Sequence, residues 1–148
     1  MSLSFSPPES PTEFSPTELE RYRRQMMLPG LGEAGQQTLK GTTALVTGVG
    51  GLGGTAALYL AVAGVGKLIL VRGGDLQRDD LNRQVLMTDD WVGRPRVLKA
   101  QETLRAINPD IEIEAVCEYV TADNIDALVQ QADIALDCAF DFKISLSA

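Results

Sequence analysis

The sequence predicts an α/β fold, a parallel β-sheet with flanking helices, and three observations support this class. Short apolar runs of strand length alternate along the chain with longer stretches of helical character. A glycine-rich turn, residues 48–53, joins the first apolar run directly to an apolar helical stretch. Because a helix separates each strand from the next, we expect successive strands to run parallel, with right-handed crossovers.

The composition restricts the classes of function. The chain has 148 residues, of which 45% are hydrophobic and 22% charged, a balance typical of one globular domain. Its net charge of -7 argues against nucleic acid and against an anionic membrane as partners, because both attract clustered Lys and Arg. No apolar run approaches the ~20 residues of a membrane-spanning helix, and the N-terminus lacks the pattern of a secretion signal, so we expect a cytoplasmic protein.

Histidine and cysteine content narrows the chemistry further. The sequence contains no His and two Cys, Cys117 and Cys138. These are too few for a zinc cluster, and a Ser-His-Asp triad is excluded. Cys117 lies in an apolar strand pattern and Cys138 at the end of a predicted strand, so both are interpreted as small core residues. We therefore expect neither a zinc site nor a catalytic cysteine.

The N-terminal region divides into a tail and a first helix. Residues 1–16 are rich in Ser and Pro without hydrophobic periodicity, and we predict a disordered tail there and a single domain over residues 17–148. Ser15-Pro16-Thr17-Glu18 has the spacing of a capping box, with Pro at the first helical position. This signal predicts a helix that runs to about Leu28, where Pro29-Gly30 ends it.

The remaining predicted elements alternate regularly. A short helix at about 33–39 precedes a buried strand at 43–47, and the glycine turn leads into a helix at 52–63 and a strand at 67–71. After a polar loop at 72–90 we predict a helix at 95–107, a strand at 111–120, a helix at 123–131 and a strand at 134–138. The sequence ends soon afterwards without a stop signal. We expect a domain that is truncated at its C-terminus, with an exposed sheet edge that needs a partner.

The glycine turn carries the strongest local signal. Gly48-Val49-Gly50-Gly51-Leu52-Gly53 matches G-x-G-x-x-G between a strand and a helix, which is typical of Rossmann-like nucleotide-binding folds. Glycines permit a tight turn and a close approach of the backbone, and free N–H groups at the helix start favour phosphate oxygens. Gly48, Gly50, Gly51 and Gly53 are therefore predicted to contact a nucleotide. A turn needed only for packing the helix on the strand is the alternative.

The end of the second strand departs from the dinucleotide-binding pattern. In that pattern an Asp or Glu about 20 residues after the glycines holds the ribose hydroxyls, and here the position is Arg72. An arginine there accommodates the 2′-phosphate of NADP, so an NADP-binding oxidoreductase is one hypothesis. A solvated arginine at a strand end explains the residue equally well.

Five blocks of sequence occur in a characteristic order: Arg21-Tyr22-Arg23-Arg24-Gln25, Gly48 to Gly53, Ala63-Gly64-Val65-Gly66, Asp80-Leu81-Asn82-Arg83-Gln84 and Val92-Gly93-Arg94-Pro95-Arg96. They resemble the RYxRQ, GxGGLG, AGVG, NLxRQ and VGxPK motifs of the MoeB/ThiF/HesA family, whose members are relatives of ubiquitin-activating enzymes. Asn108-Pro109 and Asp137-Cys138 extend the match, which covers about residues 20–141. Four segments resemble a HesA-like branch more than typical MoeB: Gly73-Gly74-Asp75, Asp80-Leu81-Asn82-Arg83-Gln84, Leu86-Met87 and Gly93-Arg94-Pro95-Arg96.

The resemblance implies an activity and its partners. It implies ATP-dependent adenylation of the C-terminal carboxylate of a ubiquitin-like sulfur-carrier protein or modifier, with ATP and Mg²⁺ bound. By the same resemblance Gly51 contacts the nucleotide, Arg83 and Gln84 approach its phosphates, and Arg24 reaches the site of the other subunit of a homodimer. The alternative interpretation, without the resemblance, makes Arg24 and Arg83 ordinary surface ion-pair residues and Gln84 an exposed loop residue.

The predicted site residues follow from this comparison. Arg24, Arg83 and Arg96 are the candidate catalytic residues, because cations stabilise the charge that gathers on the phosphates. The predicted nucleotide-binding set contains the four glycines together with Arg72, Asp79, Asp80, Gln84 and Asp141.

Four polar positions depart from the family pattern. Arg72 and Phe140 each stand where the family has Asp, Asp80 stands where it has Asn, and Arg96 stands where it has Lys. Arg96 keeps the positive charge. Because Phe140 cannot ligate a cation, Asp141 is the predicted metal ligand, with Asp137 as the alternative carboxylate. These changes also raise the hypothesis of a non-catalytic subunit that lends its Arg24 segment to a partner's site.

Overall fold

A parallel four-stranded sheet positions the other elements. The computed structural model describes residues 13–139, so the predictions for residues 1–12 and for Asp141 lie outside the described residues. The strands are β1 (Thr43–Thr47), β2 (Lys67–Val71), β3 (Glu112–Val116) and β4 (Ile134–Asp137), in the order β3-β2-β1-β4. All three pairings are parallel, as predicted, and the observed β1 and β2 coincide with the predicted strands.

The strand order creates a place for a ligand. From β1 the chain steps outward through β2 to β3, and it then returns to lay β4 on the other side of β1. In open parallel sheets, ligands bind beside the carboxyl ends of the strands, at the point where the strand order reverses. Here that point lies between β1 and β4, where the glycine turn follows β1.

Within residues 13–139, five α-helices flank the sheet and two short 3-10 helices interrupt the loop after β2. The α-helices are α1 (Pro16–Met26), α2 (Gly32–Gly41), α3 (Gly51–Ala63), α4 (Arg96–Ile107) and α5 (Ile125–Val129), and the 3-10 helices are Arg78–Asp80 and Asp89–Trp91. Among the described residues, no helix is both long enough and apolar enough to cross a membrane.

Two apolar cores cover the faces of the sheet. The larger core contains alternate residues of β1 and β2 together with apolar side chains of α3 and α4. The smaller core, formed by the intervening residues of the same strands, contains Leu45, Ile69 and Val71 packed with Leu128 of α5. Each fully buried aliphatic side chain contributes about 2 kcal/mol to the stability of the fold. A shift of one residue in the register of either strand would move its side chains to the opposite face of the sheet. The alternation therefore fixes the strands that carry the glycine turn.

The first helix begins with the predicted capping box. The backbone N–H of Glu18 donates to Ser15 Oγ (3.2 Å), and the backbone N–H of Ser15 donates to Glu18 Oε2 (2.8 Å). The helix ends at Met26, two residues before the predicted end, because the backbone N–H groups of the next two residues turn back to Arg24 and Gln25.

A polar network closes the C-terminal end of α3. The side chains of Gln25 and Gln36 both donate to the carbonyl oxygen of Ala63, at 2.8 and 2.9 Å. Asn108 Nδ2 donates to the carbonyl oxygen of Ala61 (2.7 Å) and to Tyr22 Oη (2.8 Å). These contacts satisfy carbonyl groups that the end of a helix leaves free, and they join α1, α2 and α4 to the same point.

The third strand is shorter than predicted, and this changes the position of one cysteine. We expected a strand over 111–120, but β3 ends at Val116 and the following residues leave the sheet. The interpretation of Cys117 as a core residue is wrong, because its side chain is exposed beyond the strand end. Cys138 is half-buried against the larger core, as expected.

Candidate functional site

Two glycines of the turn are required by packing. Gly48 has φ +88°, its N–H donates to the carbonyl oxygen of Val71 (2.8 Å), and a Cβ there would lie 2.7 Å from the carbonyl oxygen of Cys138. A Cβ at Gly53 would overlap the carbonyl oxygen of Gly48. Both positions therefore hold α3 tightly against β1 and β4, with or without a ligand.

The other two glycines leave the start of α3 accessible. Gly50 is the N-cap of α3 and no side chain caps it. A Cβ at Gly50 would have Gln84 Nε2 as its nearest neighbour at 3.9 Å, and one at Gly51 would lie 3.3 Å from Arg83 Cγ. The first N–H groups of a helix need acceptors and carry a partial positive charge, so this end of α3 suits an anion.

Asp80 organises the loop that faces this helix start. Its Oδ1 accepts from Gln84 Nε2 (2.7 Å) and from Arg83 Nη2 (3.2 Å). Its Oδ2 accepts from the backbone N–H of Gln77 (3.0 Å) and pairs with Arg96 Nη1 (3.1 Å). Because both oxygens of this buried carboxylate are occupied, Asp80 lies behind the site and positions Arg83, Gln84 and Arg96.

Three buried polar atoms around this loop have no partner. Among the described residues, the buried side-chain atoms without a hydrogen bond are Arg72 Nε, Gln84 Oε1 and Arg96 Nε. An unsatisfied buried polar group costs ~1–3 kcal/mol, so natural proteins leave few of them. All three belong to predicted site residues, Arg72 and Gln84 to the nucleotide-binding set and Arg96 to the catalytic set.

Three guanidinium groups lie near the Asp80 carboxylate. Arg83 and Arg96 form ion pairs with it, and the charges of Asp80 and Arg96 both act on Arg72. Burial, and then the nearby charge of Arg96, lower the pKa of Arg72. An anion placed beside these groups would relieve both effects.

The remaining predicted residues lie elsewhere. Arg24 is exposed on α1, and α1 packs at the C-terminal end of α3. The glycine turn lies at the other end of α3, which has 13 residues and is therefore about 20 Å long. Arg24 therefore does not reach the glycine turn of its own chain. Asp79 is exposed, and its carbonyl oxygen accepts from Arg83 Nη1 (2.8 Å).

The ends of β1 and β4 add a polar pair, of which the sequence singled out Asp137 but not Thr47. Thr47 Oγ1 donates to Asp137 Oδ1 (2.8 Å), and the backbone N–H of Ala139 donates to the same oxygen (3.1 Å). Burial, together with the charge of Asp137, raises the pKa of the Cys138 thiol. Thr47 could have been found from its place directly before the first glycine. In residues 13–139 no group of three or more His, Cys, Asp and Glu side chains is arranged to hold a metal ion.

The parallel sheet, its strand reversal and the glycine turn that opens α3 define a protein of the Rossmann-like α/β class. The sequence model of the ThiF family matches residues 22–146. The chain therefore belongs to the ThiF family, which confirms the resemblance seen in the five sequence blocks.

Three known proteins illustrate the relationship. The chain is 77% identical over 128 residues to "Protein HesA, heterocyst" of Trichormus variabilis, covering 86% of this chain and 48% of the relative. It is 42% identical over 118 residues to "Sulfur carrier protein ThiS adenylyltransferase" of Escherichia coli, covering 80% of this chain and 47% of the relative. Its fold matches that of E. coli tRNA N6-threonylcarbamoyladenosine dehydratase, TcdA, in complex with ATP, with a TM-score of 0.81 and 28% identity over 86% of this chain and 52% of the other.

The matches cover only part of each relative. The chain spans about half the length of the curated relatives it matches. The HesA relative's name states no reaction, while the second relative is an adenylyltransferase named for a sulfur carrier and the solved structure contains ATP. None of the three supports the oxidoreductase hypothesis or the non-catalytic one.

Proposed function

We propose that this chain binds ATP at the glycine turn and adenylates the C-terminal carboxylate of a ubiquitin-like sulfur-carrier protein. The observation that carries the proposal is the set of three unsatisfied buried atoms, Arg72 Nε, Gln84 Oε1 and Arg96 Nε, beside an uncapped helix start. One of these, Arg96 Nε, is a cationic donor that the phosphates of ATP would satisfy. The adenylyltransferase relative supports the reaction type.

The reaction needs positioning and charge stabilisation and no side-chain nucleophile. An oxygen of the carrier's carboxylate attacks the α-phosphorus of ATP and forms a new P–O bond. The bond between the α-phosphorus and its bridging oxygen breaks, and the electron pair leaves with pyrophosphate. The negative charge on the phosphates is greatest as the bridging bond breaks, so fixed cations near the phosphates lower the barrier.

The described residues supply these cations in a fixed arrangement. Arg96 is held by Asp80 and by the carbonyl oxygen of Asp75, and its side chain is 10% exposed. Arg83 is held by Asp80 and by the carbonyl oxygen of Asp79, and its side chain is 55% exposed. We assign the buried arginine to orienting the nucleotide and the exposed one to the departing pyrophosphate. When Mg²⁺ accompanies ATP it neutralises phosphate charge, with Asp137 and Asp141 as the candidate carboxylates.

The homodimer is part of the same proposal. Arg24 makes no side-chain hydrogen bond or ion pair with any described residue, and it lies too far from its own glycine turn to act there. We propose that it completes the site of a second copy. Mixing a chain carrying Arg24→Gln with one carrying Arg83→Gln would then restore part of the activity that each variant alone lacks.

Carrier-dependent exchange of labelled pyrophosphate into ATP tests the proposed reaction. We expect exchange with the purified chain and a ThiS-type carrier that has a free C-terminal carboxylate, and none when that carboxylate is amidated. Arg83→Gln should slow exchange by about 100-fold. Arg23→Gln changes the exposed arginine next to Arg24 on α1 and should leave the exchange rate unaltered. ATP binding without exchange would overturn the adenylation; absence of ATP binding would overturn the site itself.

A further inference from the structure

Arg72 sits at the sugar end of the proposed site. It directly follows β2, and its backbone N–H continues the sheet by donating to the carbonyl oxygen of Val116 (3.1 Å). The preceding residue, Val71, accepts the hydrogen bond from Gly48 that anchors the glycine turn. In doubly wound folds this strand end faces the ribose, and an acidic residue there accepts hydrogen bonds from the ribose hydroxyls. A guanidinium can only donate, so it cannot read free hydroxyls in that way.

A wall of backbone and aromatic ring fixes the guanidinium. The Tyr119 ring lies against Gly73 and Gly74, where added Cβ atoms would come within 2.5 Å of the ring and of its hydroxyl. The Arg72 guanidinium carbon lies 5.7 Å from the centre of the same ring. Asn124 holds this loop in place, because its Nδ2 donates to the carbonyl oxygen of Tyr119 (3.0 Å) and its Oδ1 accepts from the backbone N–H of Thr121 (2.8 Å). The absence of side chains at 73 and 74 leaves room for the ring, and the ring restrains Arg72.

The arginine itself is electrostatically unsatisfied. Its Nε is buried without a partner among the described residues. Burial, and then the neighbouring guanidinium of Arg96, lower its pKa, whereas the Asp80 carboxylate that partly offsets this is already bound by other donors. A bound anion would provide the missing acceptor and the missing negative charge.

We propose that Arg72, Tyr119 and the Gly73–Gly74 backbone form an anion subsite whose ligand is a phosphate monoester on the ribose of an adenine nucleotide. This inference rests on the proposed function for the position of the nucleotide. Adenine nucleotides phosphorylated at the 2′ or the 3′ position then bind the same site as ATP and compete with it. Removal of the 2′-hydroxyl should have little effect, because Arg72 offers no acceptor where the dinucleotide-binding pattern has a carboxylate.

The test compares nucleotides that differ only at the sugar. Isothermal titration of the purified chain measures the Kd of AMP, adenosine 2′,5′-bisphosphate, adenosine 3′,5′-bisphosphate, ATP and 2′-deoxy-ATP. We expect at least one bisphosphate to bind about tenfold or more tightly than AMP, since a hydrogen bond to a charged group is worth that factor. ATP and 2′-deoxy-ATP should agree within about twofold. The bisphosphate that binds more tightly identifies the position of the phosphate.

Variants separate the subsite from the rest of the site. In Arg72→Gln the bisphosphate should lose its advantage, so that its Kd and the Kd of AMP agree for that variant. Arg72→Lys should keep part of the preference, and Arg23→Gln should keep all of it. Equal Kd values of AMP and both bisphosphates for the unaltered chain would overturn the subsite while the ATP site stands. A chain that binds none of these nucleotides would overturn the subsite and the proposed function together.

Discussion

The two ends of helix α3 differ in how their polar groups are satisfied. At the C-terminal end, Gln25, Gln36 and Asn108 occupy the carbonyl oxygens of Ala61 and Ala63. At the N-terminal end no side chain caps the helix, and the nearby Arg72, Gln84 and Arg96 each retain an unsatisfied buried atom. The same helix thus ends in a completed structural junction on one side and in an incomplete polar cluster on the other. The contrast separates an end of α3 whose polar groups are satisfied within the protein from the end at which we propose that a ligand binds.

The C-terminal end of α3, whose carbonyl groups are satisfied, is called the closed end here, and the N-terminal end is called the open end. Stability should depend more on side-chain shape at the closed end. Gly64 has φ +86°, and a Cβ there would lie 2.5 Å from Tyr22 Cζ and 2.7 Å from Gln36 Nε2. Gly64→Ala combines strain at a positive φ with displacement of the network, so we expect the free energy of unfolding to fall by ~3 kcal/mol or more. Urea denaturation measures the change.

A matched glycine isolates the packing contribution. Gly30 has φ +88° and nothing within 4 Å of an added Cβ. Gly30→Ala should therefore show the backbone strain alone, about 1 kcal/mol. Equal losses for the two variants would mean that the network around Gly64 contributes no packing constraint.

The open end should respond to a change of charge in a way that depends on ligand. Asp80 is the buried carboxylate that holds Arg83, Gln84 and Arg96. Asp80→Asn keeps the shape and removes the charge, so we expect a loss of ~2 kcal/mol in the free energy of unfolding. Saturating ATP should reduce that loss, because phosphate oxygens replace the missing negative charge.

A second Asp–Arg pair provides the control for this prediction. Asp110 pairs with Arg21 at 3.2 Å, with side chains 23% and 35% exposed, and it lies beside the closed end of α3. Asp110→Asn should lower the free energy of unfolding by less than about 1 kcal/mol, and ATP should not change that loss. If ATP left the Asp80→Asn loss unchanged, the arginines would be structural only.

The smallest effect concerns pH at the closed end. Burial alone would raise the pKa of Glu18, but hydrogen bonds from Lys40 and Ser15 and the Lys40 charge outweigh burial and hold the pKa below its ordinary value of 4.5. A lowered pKa in the folded state means that the stabilisation is complete above pH 4.5 and is lost as the pH falls through the lower, folded-state pKa. Glu18→Gln keeps the capping box and removes this loss, which we expect to be under about 1 kcal/mol. If the free energies of unfolding of the unaltered chain and of Glu18→Gln fell in parallel below pH 4.5, the lowered pKa assigned to Glu18 would be contradicted.

Local patterns predicted the framework of the fold and the glycine turn at which we propose the site. The capping box at Ser15, the strands 43–47 and 67–71, and the glycine turn all depend on neighbouring residues, and each was found where the sequence placed it. The four parallel strands follow from their alternation with helices. These features are predictable because short-range periodicity and turn chemistry determine them.

Features that depend on distant contacts could not be predicted in this way. Asp80 was predicted to bind the nucleotide, yet its oxygens are occupied by groups that include Arg96, 16 positions along the chain. Tyr119 was assigned to a strand, because nothing in its own sequence shows that Gly73 and Gly74 leave room for its ring. Which buried atoms lack partners is likewise visible only once the loop and the helix are brought together.

The measurement that tests the proposed ligand site at the N-terminal end of α3 most directly is ATP titration of Gly50→Ala. An added Cβ at this position has no neighbour closer than 3.9 Å, and the backbone there is extended, so the variant should fold with unchanged or slightly higher stability. The methyl group nevertheless lies where the phosphates must approach the helix start, and we predict an ATP Kd at least about tenfold higher than that of the unaltered chain. Equal ATP affinity in the two proteins would contradict the account and leave the glycine turn as a packing feature alone.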